Sequence, residues 1–277
     1  MTKTPAALPA LDCRPGKRPD ALSSPAGSAR FADPHGIAVA SDGTIYVADT
    51  KNNRIRSISN GTVKTLAGSE MGFADGRGDA AMFTWPMGIT LTTRGTILVA
   101  DTWNYRIREV RPDGTVRTWA GTGERGLDNG PRREGHAHVP DVDGGAPRRD
   151  ALFIEPQSGM IRKVSSAPTH DVTVLLGNLG ASGWSDRPAS SAKVSETIAA
   201  AVRADGQVVF LDGASARVRA LRNGVVDTLA GGVRGGTVDG YGPDAGFGFP
   251  RGVAVAPDGS ILVVDLAEHA LRRVTLQ

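Results

Sequence analysis

The sequence predicts an all-β protein, a five-bladed β-propeller occupying residues 1–277 as a single domain. Three observations predict it: one unit recurs five times, each unit is cut by frequent turn signals, and both chain ends fall inside a unit. Residues 31–68, FADPHGIAVASDGTIYVADTKNNRIRSISNGTVKTLAG, and residues 83–121, FTWPMGITLTTRGTILVADTWNYRIREVRPDGTVRTWAG, are two copies of that unit. A third copy starts at Phe247, FGFPRGVAVAPDGSILVVDLAEHALRRVTLQ, and stops before the last segment. Two degenerate copies lie between them, in LFIEPQSGMIRKV and VVFLDGASARVRAL.

The copies stay in phase. An acid closes the second apolar segment of each one, at Asp49, Asp101, Glu155, Asp212 and Asp265, with spacings of 52, 54, 57 and 53 residues. A linker such as GFADGRGDAAMF precedes each copy, so the repeats begin near residues 31, 83, 137, 194 and 247. Within a copy, GIAV, TIYVAD, RIRSI and TVKTLAG alternate apolar and polar residues and are separated by Asp-Gly, Asn-Gly or similar turns. That pattern marks four antiparallel strands joined by tight turns. The last copy lacks its fourth strand, whereas the chain begins with an unassigned ALPAL segment. Residues 1–16, with pairing near Leu8 and Leu11, are therefore expected to supply the outer strand of the last blade and close the ring, leaving no sheet edge open.

Composition narrows the function classes. The 36 glycines, without a collagen period, suit a turn-rich β protein. With 32 basic and 29 acidic residues the formal charge is +3, which by itself implies neither nucleic acid nor membrane as a partner. Cys13 is the one cysteine, so neither an intrachain disulfide nor a thiolate metal cluster can form. No apolar run approaches the ~20 residues of a membrane span, and the N-terminal sequence does not read as a secretory signal, so a cytoplasmic location is expected.

The segment PHGIAVASDGTIYVADTKNNRIRSI resembles the NHL repeat, and the linker LAGSEMGFADGRGDAAMF is similar to a form common in bacterial propellers. The resemblance covers nearly the whole chain, strongly in blades one, two and five. It implies an NHL-type propeller. Its relatives include lyases, lactonases, condensing enzymes, RNA binders and scaffolds, so it does not select a function.

The repeat supplies its own control for separating blade residues from site residues. The acid, and the arginines Arg56, Arg108, Arg162, Arg219 and Arg272, recur in every copy and are read as structural. The acid is expected to accept hydrogen bonds from turn N–H groups. The position between Pro and Gly, by contrast, varies in chemistry while its frame persists: His35, Met87, Asp141, Ile198 and Arg251. The starts of the innermost strands are expected to converge at one mouth of the central channel. His35, Asp141 and Arg251 are accordingly the expected catalytic residues, as acid or base, orienting carboxylate and anion holder. Trp85, Met87, His138, Glu196, Ile198 and Phe249 are the expected substrate-binding residues.

The resemblance to the amidating lyase among NHL-like propellers rests on Pro34-His35-Gly36 alone. The other four blades lack its histidine, so a three-histidine zinc cage does not carry over. His136 and His138, with Asp141 or Asp143, form an isolated H-x-H pattern, and no metal or other cofactor is expected. The function expected is a small-molecule enzyme of acid–base type (lyase, isomerase, cyclase or hydrolase) or a binder, its site at the channel mouth. The ligand would be a small polar or anionic molecule. A protein-interaction scaffold using blade loops is the alternative. RNA binding fits less well, because few aromatics accompany the dispersed basic residues.

Overall fold

The computed structural model describes residues 23–25, 29–92, 94–124, 141–142, 151–155, 159–164, 172–177, 183–234, 238–267 and 269–276. These residues build an all-β fold with five blades, in which the only helices described are single 3-10 turns. The expected closing segment, residues 1–16, lies outside the described residues.

Two compact units divide the chain at residues 119 and 120. The first holds blades one and two. Blade one runs Pro34–Val39, Ile45–Asp49, Arg54–Ser59 and Thr62–Ala67, each strand antiparallel to the next. The short strand Ser23–Pro25 adds to the outer edge of this sheet. Blade two repeats the plan with Pro86–Leu91, Ile97–Asp101, Arg106–Val110 and Thr115–Ala120, and Gly76–Arg77 takes the outermost place.

The second unit holds the other three blades. Blade three consists of Asp141–Val142, Ala151–Glu155, Met160–Val164 and Val172–Leu176, and blade four of Thr197–Val202, Val208–Asp212, Arg217–Arg222 and Val225–Ala230. Blade five has three described strands, Pro250–Val255, Ile261–Asp265 and Ala270–Val274.

Alternating apolar residues give each blade two packable faces. In the first unit, Tyr46, Ala48, Ile55 and Ala67 of blade one join Ile89, Ile97 and Val99 of blade two, with linker residue Phe83 fully buried among them. In the second, Phe247 performs the same duty for blades four and five, packed with Leu211, Val218 and Val263. Each such side chain contributes about 1.5–3 kcal/mol by burial. The linker residues Phe31, Phe83, Val194 and Phe247, which end four of these twelve-residue segments, are thus core residues.

The recurring acids and arginines form a buried latch. Asp101 and Arg108 are both fully buried and meet at 2.8 Å; Asp49 with Arg56, and Asp212 with Arg219, meet at 3.2 Å. Four of the recurring guanidinium groups also lie over a phenylalanine: Arg56 over Phe31, Arg108 over Phe83, Arg219 over Phe210 and Arg272 over Phe247, at 5.3–5.7 Å. The acids do more than the local turn role expected of them. Asp49 accepts the Ala32 N–H and Asp101 the Thr84 N–H, both at 2.8 Å and seventeen residues upstream. The acid therefore pins the segment leading into the first strand to the end of the second. Burial pushes the Asp49 and Asp101 carboxyls above the ordinary aspartate value, against the opposing pull of these hydrogen bonds and of the arginines.

Candidate functional site

In blades one, two and five the acid fixes the start of the first strand, and these starts carry the variable residues. In the first unit the starts of blades one and two touch. A Cβ added to Gly36 would lie 2.3 Å from the Met87 carbonyl oxygen, so only glycine fits beside His35. Pro34, before it, stands in register opposite Asp49 of the second strand.

His35 is exposed, and its Nδ1 lies 3.1 Å from the Asp33 carbonyl oxygen. Two residues earlier Asp33 has a positive φ of 52°, and its carboxylate meets Lys51 Nζ at 3.2 Å. Blade two replaces both partners with indoles. Trp85, at φ 53°, stands where blade one has Asp33, and Trp103 where it has Lys51. Their ring centroids are 5.9 Å apart at an interplanar angle of 44°, and Trp103 is 61% exposed. Blade one holds this pair in place: the Trp85 N–H donates to Asn53 Oδ1 at 3.0 Å, and the Thr50 hydroxyl donates to the Pro86 carbonyl at 2.7 Å. Asn53 lies in the left-handed region at φ 53°, a conformation asparagine tolerates well.

In the second unit Arg251 is exposed and its guanidinium lies 4.1 Å over the Phe249 ring. The Phe249 N–H and the Gly248 N–H both donate to Asp265 at 2.7 Å. Glu196 and Ile198, both half-buried, flank Gly213, whose N–H donates to the Glu196 carbonyl. Asp141 belongs to a two-residue strand paired with Ile154. Its side chain, with His136, His138 and Asp143, lies outside the described residues.

The structure thus brings together His35, Trp85 and Met87 of the expected set. It also adds two residues that the sequence reading passed over, Lys51 and Trp103. Their signal was present: both stand two residues after the blade acid, inside a conserved frame, and differ in chemistry between copies. Among the described residues no three His, Cys, Asp or Glu side chains gather as a metal site. Among the same residues no helix is long and apolar enough to cross a membrane.

Comparison with known proteins supports the repeat reading. The NHL repeat model matches residues 31–56. The chain is 30% identical over 168 residues to NHL repeat-containing protein 2 of Bos taurus, covering 53% of this chain and 21% of that protein. It is 40% identical over 80 residues to the chloroplastic protein Suppressor of quenching 1 of Arabidopsis thaliana, covering 28% and 8% respectively. The chain therefore spans about a fifth or less of these two relatives. Among solved structures, an auxiliary nutrient binding protein from Bacteroides thetaiotaomicron superposes with a TM-score of 0.61 at 12% identity, over 96% of this chain and 75% of the other. A virginiamycin B lyase from Staphylococcus aureus, crystallised with quinupristin, gives 0.52 at 16% identity, over 87% and 80%. At such identities the structural likeness speaks for fold alone, and together with the repeat match it leads to one assignment: the chain is a β-propeller that carries an NHL repeat at residues 31–56.

Proposed function

We propose that this protein binds a small polar molecule at the strand starts of blades one and two, where Trp85 and Trp103 form the platform and His35, Asp33 and Lys51 the polar edge. The observation that carries this reading is the indole pair. Two large rings stand at positions that hold an ion pair in the adjacent blade, and one of them is mostly in water. Covering it with the flat face of a ligand recovers the apolar burial, while the neighbouring donors and acceptors fix orientation. The nutrient-binding neighbour is compatible with such use of the fold.

The test is a titration of the intact chain with aromatic acids, nucleosides and oligosaccharides, followed by tryptophan fluorescence. Saturable quenching that Trp103→Ala removes supports the site. A ligand whose affinity is unchanged by Trp85→Ala and Trp103→Ala overturns it.

A second reading is catalytic, with His35 as acid or base in the first unit and Arg251, in the second, as a separate candidate holder of an anion. In its favour, His35 engages one ring nitrogen with a backbone carbonyl and is otherwise open to water, and Arg251 rests on Phe249 as a preset cation.

A further inference from the structure

The indole pair of the first unit is a platform and not a slot. The Trp85 and Trp103 centroids, 5.9 Å apart at an interplanar angle of 44°, have the separation of two rings packed on each other. A flat ring clasped between two others needs parallel partners about 7–8 Å apart, twice the contact distance of stacked carbons. A ligand therefore has one open indole to lie on, that of Trp103, which is 61% exposed.

The polar edge beside it is neutralised from within. Lys51 sits in the turn Thr50–Asn52, and residues on both sides of it hold the platform backbone, Thr50 through the Pro86 carbonyl and Asn53 through the Trp85 N–H. Lys51 Nζ meets the Asp33 carboxylate at 3.2 Å, and both side chains reach water. A ligand carboxylate drawn to Lys51 meets Asp33 as well, and a ligand ammonium drawn to Asp33 meets Lys51, so either charge faces a like charge. A hydroxyl avoids both penalties. Its oxygen accepts from Lys51 and its O–H donates to Asp33 while the ion pair stays closed. His35 adds an acceptor: the Asp33 carbonyl oxygen, 3.1 Å from its Nδ1, can only accept, so Nδ1 carries the hydrogen and Nε2 of the neutral ring is left to accept.

We infer that the ligand of this site is a neutral saccharide, its C–H face laid on Trp103 and its neighbouring hydroxyls shared among Asp33, Lys51 and His35. The inference rests on the binding site proposed above and adds the class of its ligand. A sugar ring joins the two properties that the site asks for, an apolar face and adjacent groups that both donate and accept. An aromatic acid brings acceptors alone to an edge where Asp33 and His35 already accept, and an aliphatic ammonium brings donors alone beside Lys51.

The experiment titrates the full chain by calorimetry with sets of probes that share one ring: methyl glucoside, glucuronate and glucosamine, then methyl galactoside, galacturonate and galactosamine, with benzoate and adenosine as stacking controls. In at least one set the neutral glycoside is expected to bind most tightly, about 10-fold ahead of a charged form, and Trp103→Ala should remove that binding. Asp33→Asn, which the left-handed backbone at this residue accommodates, should weaken the glycoside by about 10-fold and turn the preference toward the uronate, since Lys51 then lacks its carboxylate. A charged form that outbinds the glycoside in both sets overturns the inference, as does a preference that Asp33→Asn leaves unchanged or a failure of every sugar to bind. Benzoate or adenosine binding through Trp103 while the sugars do not removes the ligand class and leaves the platform standing. Binding that survives both Trp85→Ala and Trp103→Ala removes the platform itself.

Discussion

Trp103 stands against Trp85 at the two positions where blade one sets Lys51 against Asp33. The same backbone frame, a 3-10 turn following the blade acid and a positive-φ residue preceding proline, brings the two positions together in both blades. The pair is therefore a unit that the repeat permits to change as a whole. An exposed ion pair contributes little to stability, so Lys51→Ala should move the unfolding free energy by less than about 1 kcal/mol. Trp103→Ala should likewise leave the fold intact but weaken a stacked ligand by ~1–3 kcal/mol, the range measured for aromatic stacking on flat rings. Chemical denaturation and fluorescence titration of the two variants check this contrast.

Arg108 leads to a different expectation, because its charge is fully buried among Asp101, Asp75 and the Ala74 and Met82 carbonyls. Removing one member of such a group strands the others. Arg108→Ala should cost about 3–5 kcal/mol, read as a shift in the urea midpoint. The double variant Arg108→Ala with Asp101→Ala should lose less than the sum of the two single losses, because the second change removes the stranded carboxylate.

The fold was legible because its signals repeat. Asp49, Asp101 and Asp212 recur in phase, and Asp-Gly and Asn-Gly turns mark many of the strand boundaries. The burial of Arg56, Arg108 and Arg219 was not legible, since one sequence does not say whether a recurring arginine is solvated or paired; the linker residues Phe31 and Phe83, which cover the first two of these guanidinium groups, read only as boundary markers. At the site, His35, Met87 and Trp85 stood out as variable residues in a fixed frame. Lys51 and Trp103 escaped because the same control was not applied to the turn after the acid, which only the folded backbone brings beside the strand start.

Gly36 and Gly252 occupy the same place in the repeat and should respond differently to alanine. At Gly36 the new methyl would meet the Met87 carbonyl at 2.3 Å and the Ile89 N at 2.9 Å, backbone atoms that cannot yield cheaply. At Gly252 its nearest neighbour is the Val264 side chain at 3.6 Å, an ordinary contact. Gly36→Ala should therefore destabilise by about 1–3 kcal/mol or more, as overpacking does. Gly252→Ala should stay within ~1 kcal/mol of the parent, or gain through a less flexible unfolded chain. Paired thermal melts decide it, and equal losses at both positions would contradict the geometry.

The catalytic reading is separable from the binding one through His35 and Arg251. Both side chains are exposed, and neither takes part in a core cluster, so His35→Ala and Arg251→Ala should unfold at the parent temperature. If His35 transfers a proton in the rate-limiting step, its loss lowers turnover by about 10²–10⁴-fold with little change in ligand affinity. If the site only binds, His35→Ala weakens affinity by the ~0.5–1.5 kcal/mol of one hydrogen bond and there is no turnover to lose. Arg251→Lys adds a further distinction: it keeps the charge but loses the planar stack on Phe249, 4.1 Å away. A ligand anion held by the fork should therefore bind more weakly to Arg251→Lys, whereas a ligand that never reaches Arg251 should bind parent and variant alike. Calorimetric titration with any ligand that emerges from the fluorescence screen, followed by product analysis on the same mixtures, distinguishes these outcomes.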